Sequence, residues 1–157
     1  MMEQPKPIEQ HRFLERLVGI WDALPDEGSA ETPQWTETGR SMDGLWFVVE
    51  GKADMGPDGQ TRTLMTLGYD PAQQHYVGTW VGTMMTKLWV YKGWVEDDGR
   101  TLTLEAEGPA FDDPGKTALY HDAITFLDDD HRRFTGSVRQ PDGTFKQFMA
   151  VDFRRRT

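Results

Sequence analysis

Gly68-Tyr-Asp-Pro-Ala-Gln-Gln-His-Tyr-Val-Gly-Thr-Trp-Val-Gly-Thr-Met-Met-Thr-Lys-Leu-Trp-Val-Tyr-Lys-Gly-Trp94 decides the fold. It reads as a strand end, a turn, a strand, a tight turn and another strand. With Met84-Met85 at the second turn, Trp80 lies opposite Trp89, Gly78 opposite Tyr91 and Tyr76 opposite Gly93. Cross-strand partners share a face, so one side of the hairpin is an aromatic layer with glycines leaving room for the rings. The other side carries Val77, Thr79, Val81, Leu88, Val90, Lys92 and Trp94. Lys92 is the one ion in either set, which turns the Trp80/Trp89 face inward.

The same alternation continues through the next turns. A turn at Asp98-Gly99 sets Trp89, Tyr91, Gly93 and Val95 against Gly108, Ala106, Leu104 and Leu102. Thr101, Thr103, Glu105 and Glu107 then share the opposite face, with Lys92 facing Glu105. Further along, a turn at Asp142-Gly143 groups Phe134, Gly136 and Val138 with Val151, Met149 and Gln147. A three-residue turn at Asp128 to Asp130 adds Tyr120, Asp122, Ile124 and Phe126. Turn signals also stand at Asp43-Gly44, Pro57-Asp-Gly59, Asp70-Pro71 and Asp113-Pro-Gly115. Consecutive antiparallel hairpins in up-and-down order follow, about ten strands in all. Closing such a meander removes both unpaired edges, so the expected fold is all-β, a single barrel.

Ahead of the strands, Pro7 to Val18 reads as a short amphipathic helix with Phe13, Leu14, Leu17 and Val18 on one stripe. Residues 25–33 are rich in Pro, Gly, Ser and acids and read as a loop. At 157 residues the chain is one domain by size, residues 1–157. Sixteen glycines, nine prolines and eighteen aromatics favour strands and tight turns over a helical bundle. A formal charge of −9 opposes nucleic acid or an anionic membrane as partner, since phosphate binding needs clustered Lys and Arg. The absence of cysteine excludes disulfides, thiolate metal sites and cysteine catalysis. No apolar run has the length of a membrane span, and Met1-Met-Glu-Gln-Pro-Lys-Pro7 lacks a signal-peptide core. A cytoplasmic location is the expectation.

Gly19-Ile-Trp21, after the helix and opening the first strand, resembles the Gly-x-Trp signature of the calycin group: lipocalins, fatty-acid-binding proteins and nitrobindin-like barrels. The resemblance implies a calycin-like barrel in which Arg154 or Arg155 stacks on Trp21, with Gly19, Trp21 and Arg154 as the structural signature. Leu17-Val-Gly-Ile-Trp-Asp22, Gly44-Leu-Trp46, Leu64-Met-Thr-Leu-Gly-Tyr-Asp-Pro71, Tyr76-Val-Gly-Thr-Trp80, Leu88-Trp-Val-Tyr91 and Leu102-Thr-Leu-Glu-Ala-Glu-Gly-Pro109 are similar to a bacterial family known only as a domain of unknown function. Asp128-Asp-Asp-His131 fits the same pattern. That family brings no activity with it. Nitrobindin-like barrels hold haem through a histidine near the C-terminal end, and residues 132–157 contain none. No cofactor is expected.

Candidate chemistry is sparse. His11, His75, His121 and His131 show no metal-ligand spacing, and no metal site is expected. His121 and Asp122 are neighbours on a strand, point to opposite faces and cannot pair with each other. Ser29, Ser41 and Ser137 sit in no nucleophile turn, and no glycine loop suits a phosphate. Catalytic residues therefore stay unassigned. Glu50 and Asp122 fall within apolar strands, where a carboxylate is costly unless hydrogen-bonded or bound to a ligand. Each reads as a polar anchor, a general base with raised pKa, or half of an internal pair with a residue such as Arg40 or Arg139, and for Glu50 the inward or outward face is itself open. The candidate cavity lining is Trp46, Glu50, Met65, Tyr76, Trp80, Trp89, Tyr91, Asp122 and Gln147. Met55, Met65, Met84, Met85 and Met149 suit an adaptable apolar lining or lid. The first reading is a binding protein for a small, largely apolar or aromatic molecule. The alternatives are an enzyme using Glu50 or Asp122 on a small hydrophobic substrate, or a filled barrel acting through a homodimer.

Overall fold

The computed structural model describes residues 3–25, 35–54, 57 and 59–157. Met55 and most of the loop expected at 25–33 lie outside them. A helix, α1 (Glu9–Leu14), runs into a 3-10 turn at Glu15–Leu17. Ten strands follow: β1 (Gly19–Ala23), β2 (Trp35–Met42), β3 (Trp46–Asp54), β4 (Gln60–Asp70), β5 (His75–Gly82), β6 (Trp89–Val95), β7 (Thr101–Pro109), β8 (Thr117–Asp128), β9 (His131–Arg139) and β10 (Phe145–Arg155). Each pairs antiparallel with the next, and β10 returns to β1, closing an up-and-down barrel. Closure leaves no unpaired edge. No helix among the described residues is long and apolar enough to cross a membrane.

The register is the one the aromatic hairpin requires. Trp80 faces Trp89, Gly78 faces Tyr91 and Tyr76 faces Gly93. Lys92 faces Glu105 and Gly93 faces Leu104 across β6 and β7. The connection at Met84-Met85 is wider than a two-residue turn, because β5 ends at Gly82 and β6 begins at Trp89. Phe47, Leu67, Leu102, Leu104 and Ile124 are fully buried on the inner face. Glycines admit the large rings: a Cβ at Gly108 would overlap the Trp89 indole.

The helix is shorter than the 7–18 expected, since the chain tightens at Glu15 to plug one end of the barrel. Leu14 and Leu17 are buried in the barrel core, while Phe13 packs edge-on against Phe126. Three helix-end carbonyls would otherwise lack donors. Trp21 Nε1 donates to Leu17 O at 3.1 Å, and Arg155 donates to Arg16 O at 2.9 Å and to Val18 O. The Arg155 guanidinium also lies 4.3 Å above the Trp21 ring centre. Arg155, rather than Arg154, is thus the partner of Gly19 and Trp21. Strand alternation is the reason: Arg155 pairs with Trp21 on the inner face, whereas Arg154 pairs with Asp22 and points outward.

Candidate ligand cavity

The helix seals one end of the barrel, and the opposite end opens into a cavity of about 910 Å³. Its floor includes Leu17, Val49 and Ile124. Trp80, Trp89, Tyr120, Phe134 and Phe148 supply aromatic wall, and Met84, Met85, Lys87 and Phe111 stand on connections at the mouth. The Trp89 and Tyr120 rings meet edge to face at 5.2 Å, and Phe111 packs against Phe148 at 5.0 Å. Trp89 Nε1 donates to Met85 Sδ at 3.0 Å, and Lys87 Nζ sits 5.3 Å above the same indole.

Of the residues expected to line the cavity, Met65, Trp80, Trp89 and Asp122 do so. Tyr91 is buried beside Asp122 and donates its hydroxyl hydrogen to Asp122 Oδ2. Tyr76 is buried nearer the helix, where its hydroxyl donates to Gln10 O at 2.9 Å. Burial pushes the Tyr76 phenol up to about 12, with the nearby Tyr69 and Glu9 adding to the rise.

Trp46, Glu50 and Gln147 lie outside. The β2–β3 turn spans three residues, so Phe47, Val49 and Gly51 take the inner parity of β3 and Trp46 and Glu50 the outer. Trp46 covers Gly68 from outside and is 47% exposed. Glu50 meets Arg40 at 3.2 Å on the barrel surface. Gln147 is turned out by a bulge between Gln147 and Met149, which lets both Phe148 and Met149 line the cavity. His121 also points outward, as expected, with Nε2 2.9 Å from Glu105 and its ring stacked on Phe145. Among the described residues no cluster of His, Cys, Asp and Glu could hold a metal ion.

Polar groups inside are few and of two kinds. Deep in the barrel Arg132, 2% exposed, is held between the Trp21 and Phe153 rings and donates to Glu37 Oε1 at 2.6 Å. That charge is matched, although Arg132 Nε and Trp35 Nε1 have no hydrogen-bond partner among the described residues. Asp122 is different. Its Oδ2 accepts from Tyr91, its Oδ1 accepts no hydrogen bond among the described residues, and no cation lies within ion-pair distance. Burial pushes the Asp122 carboxyl above the ordinary carboxylate range; the Tyr91 bond and the His121 charge offset part of the rise. The same burial, reinforced by the carboxylate, holds the Tyr91 phenol well above its usual value.

The Arg132–Glu37 pair escapes a reading that stops at Phe134, yet one more step of the β9 alternation turns Arg132 inward. Glu37 and Trp35 follow the Pro-, Gly- and acid-rich stretch 25–33, whose sequence offers no two-residue turn to fix their parity in advance. Phe148 owes its place to the bulge, which has no marker in the sequence.

Among solved structures, a protein described as a redesigned beta barrel is similar over 93% of this chain and 96% of its own, at 11% identity and a TM-score of 0.44. No curated protein matches the sequence at a significant level. A family profile covers residues 6–155, nearly the whole barrel with its plugging helix, and the chain belongs to that family, described as Protein of unknown function (DUF1579).

Proposed function

We propose that this barrel is a binding protein for a small, largely apolar or aromatic molecule held in its interior. The observation that carries the reading is the cavity of about 910 Å³, open at one end. Ligand sites are typically concave, mostly apolar volumes of this size with a few placed polar groups. Aromatic rings on several strands and methionines at the rim suit a ligand with a flat or flexible apolar body.

The enzyme alternative now rests on Asp122 alone, because Glu50 points away from the cavity and pairs with Arg40. Asp122 has a carboxyl raised above the ordinary range, as a general base needs, but among the described residues its one side-chain hydrogen bond is to Tyr91. Binding therefore ranks ahead of catalysis.

Native mass spectrometry of freshly purified protein against its denatured mass reads out a retained molecule directly. Titration with naphthalene complements it, with Trp80 and Trp89 as fluorescent reporters in the wall. The expected result is saturable quenching at one molecule per barrel. A bare native mass together with unchanged fluorescence would overturn the reading.

A further inference from the structure

We propose that the ligand carries a cation, a protonated amine on its apolar body, and that Asp122 is the group that holds it. The inference rests on the ligand-cavity reading above and specifies its chemistry.

Three observations converge. The first is charge balance along the lining. Arg132 is matched by Glu37 at 2.6 Å and clamped between two rings, so it offers no unmatched positive charge. Lys87 stands at the mouth. Asp122 lines the cavity with no cation at ion-pair distance, and among the described residues one of its oxygens accepts no hydrogen bond. An apolar cavity that contains an unmatched carboxylate selects for a ligand that brings the opposite charge.

The second is the surface around that carboxylate. Tyr120 is two residues away on the same face of β8, and its ring packs edge-on to Trp89 at 5.2 Å. Gly136, directly across from Asp122, is covered by Phe148 and Met149. Aromatic faces attract cations through their quadrupoles, and Trp89 already has the Lys87 ammonium 5.3 Å above its ring. The third is the long-range field: a formal charge of −9 concentrates cations near the barrel and repels anions. The raised Asp122 carboxyl agrees, since a bound ammonium would relieve the cost of ionising it.

Calorimetric titration of the intact protein at neutral pH with four matched probes tests this: 1-naphthylmethylamine, 1-naphthylmethanol, naphthalene and 1-naphthoate. The amine is expected to bind about tenfold or more tighter than the alcohol and the hydrocarbon, with the carboxylate weakest, as a charge-assisted hydrogen bond requires. Asp122→Asn should remove the advantage of the amine over the alcohol and the hydrocarbon, the probes being compared with one another within the variant. Equal binding of amine, alcohol and hydrocarbon would overturn the proposal. So would a preference for the carboxylate, which would move the anchor to Arg132 and Trp35. The probe series on the unaltered protein decides the matter even if the variant does not fold. Loss of all four probes, naphthalene included, is the distinct outcome in which the cavity reading itself fails and takes this proposal with it.

Discussion

Asp122 is the residue where the interior departs furthest from electrostatic balance, and that imbalance has a consequence for stability. Burial raises its carboxyl pKa above the unfolded value, so the native state binds this proton more tightly than the unfolded chain does. The sign follows. Stability is greatest below the ordinary carboxylate range and falls as pH rises through the unfolded and then the raised native value. Asp122→Asn carries no such proton, keeps an oxygen to accept from the Tyr91 hydroxyl, and loses that dependence. The difference in melting temperature between Asp122→Asn and the unaltered protein should therefore grow in favour of the variant from acid to neutral pH and then level off. A difference that stays constant from pH 3 to 8 would show that the Asp122 carboxyl is not strained by burial. Arg132 makes the contrast clear: it is more deeply buried, yet the Glu37 carboxylate and the faces of Trp21 and Phe153 match its charge.

At the scale of elements, the plug formed by α1 and its 3-10 turn is fixed by close backbone approach as much as by its apolar stripe. Leu17 O accepts from Trp21 Nε1, and the same carbonyl lies against Gly39 so closely that any Cβ there would overlap it. Backbone cannot swing aside as a side-chain tip can. Gly39→Ala should destabilise the fold by about 2 kcal/mol, within the usual range for overpacking, as read by urea unfolding. Amide exchange across Phe13 to Val18 should speed up with it. Gly115→Ala, at an exposed turn, should stay within about 0.5 kcal/mol. Equal effects of the two substitutions would mean that the plug is loosely seated. The stripe of Phe13, Leu14, Leu17 and Val18 was legible in the sequence because amphipathic period needs only local residues. The strand faces from Tyr69 to Ile124 were legible for a related reason: short turns such as Asp98-Gly99 count the register unambiguously. Trp46 and Gln147 point away from the expected lining, and the open orientation of Glu50 resolves outward, where that counting breaks, at a three-residue turn between β2 and β3 and at the bulge beside Phe148. One residue gained or lost there exchanges the inner and outer faces.

At the scale of the whole molecule, ten strands make a barrel wider than side chains alone need fill, and the helix closes only one end. The sequence pointed to closure but not to hollowness, because volume left unfilled depends on every inward rotamer at once. Hollowness has a mechanical signature that needs no ligand. Thr63 lines the cavity wall, its hydroxyl lying close to Gly51. Leu104 lies fully buried against Gly93 in the packed part of the core. Thr63→Phe should change stability by less than about 1 kcal/mol, whereas Leu104→Phe should cost about 1–3 kcal/mol by forcing neighbours off their rotamers. Both are strand positions that accept an aromatic residue, so β-propensity does not separate them. Thr63→Phe should also weaken naphthalene binding markedly, because the new ring occupies volume the probe would take. Urea unfolding and the fluorescence titration read the two effects on one sample. If Thr63→Phe were as destabilising as Leu104→Phe, the interior would be filled in solution, and the barrel would have to act through its outer surface instead.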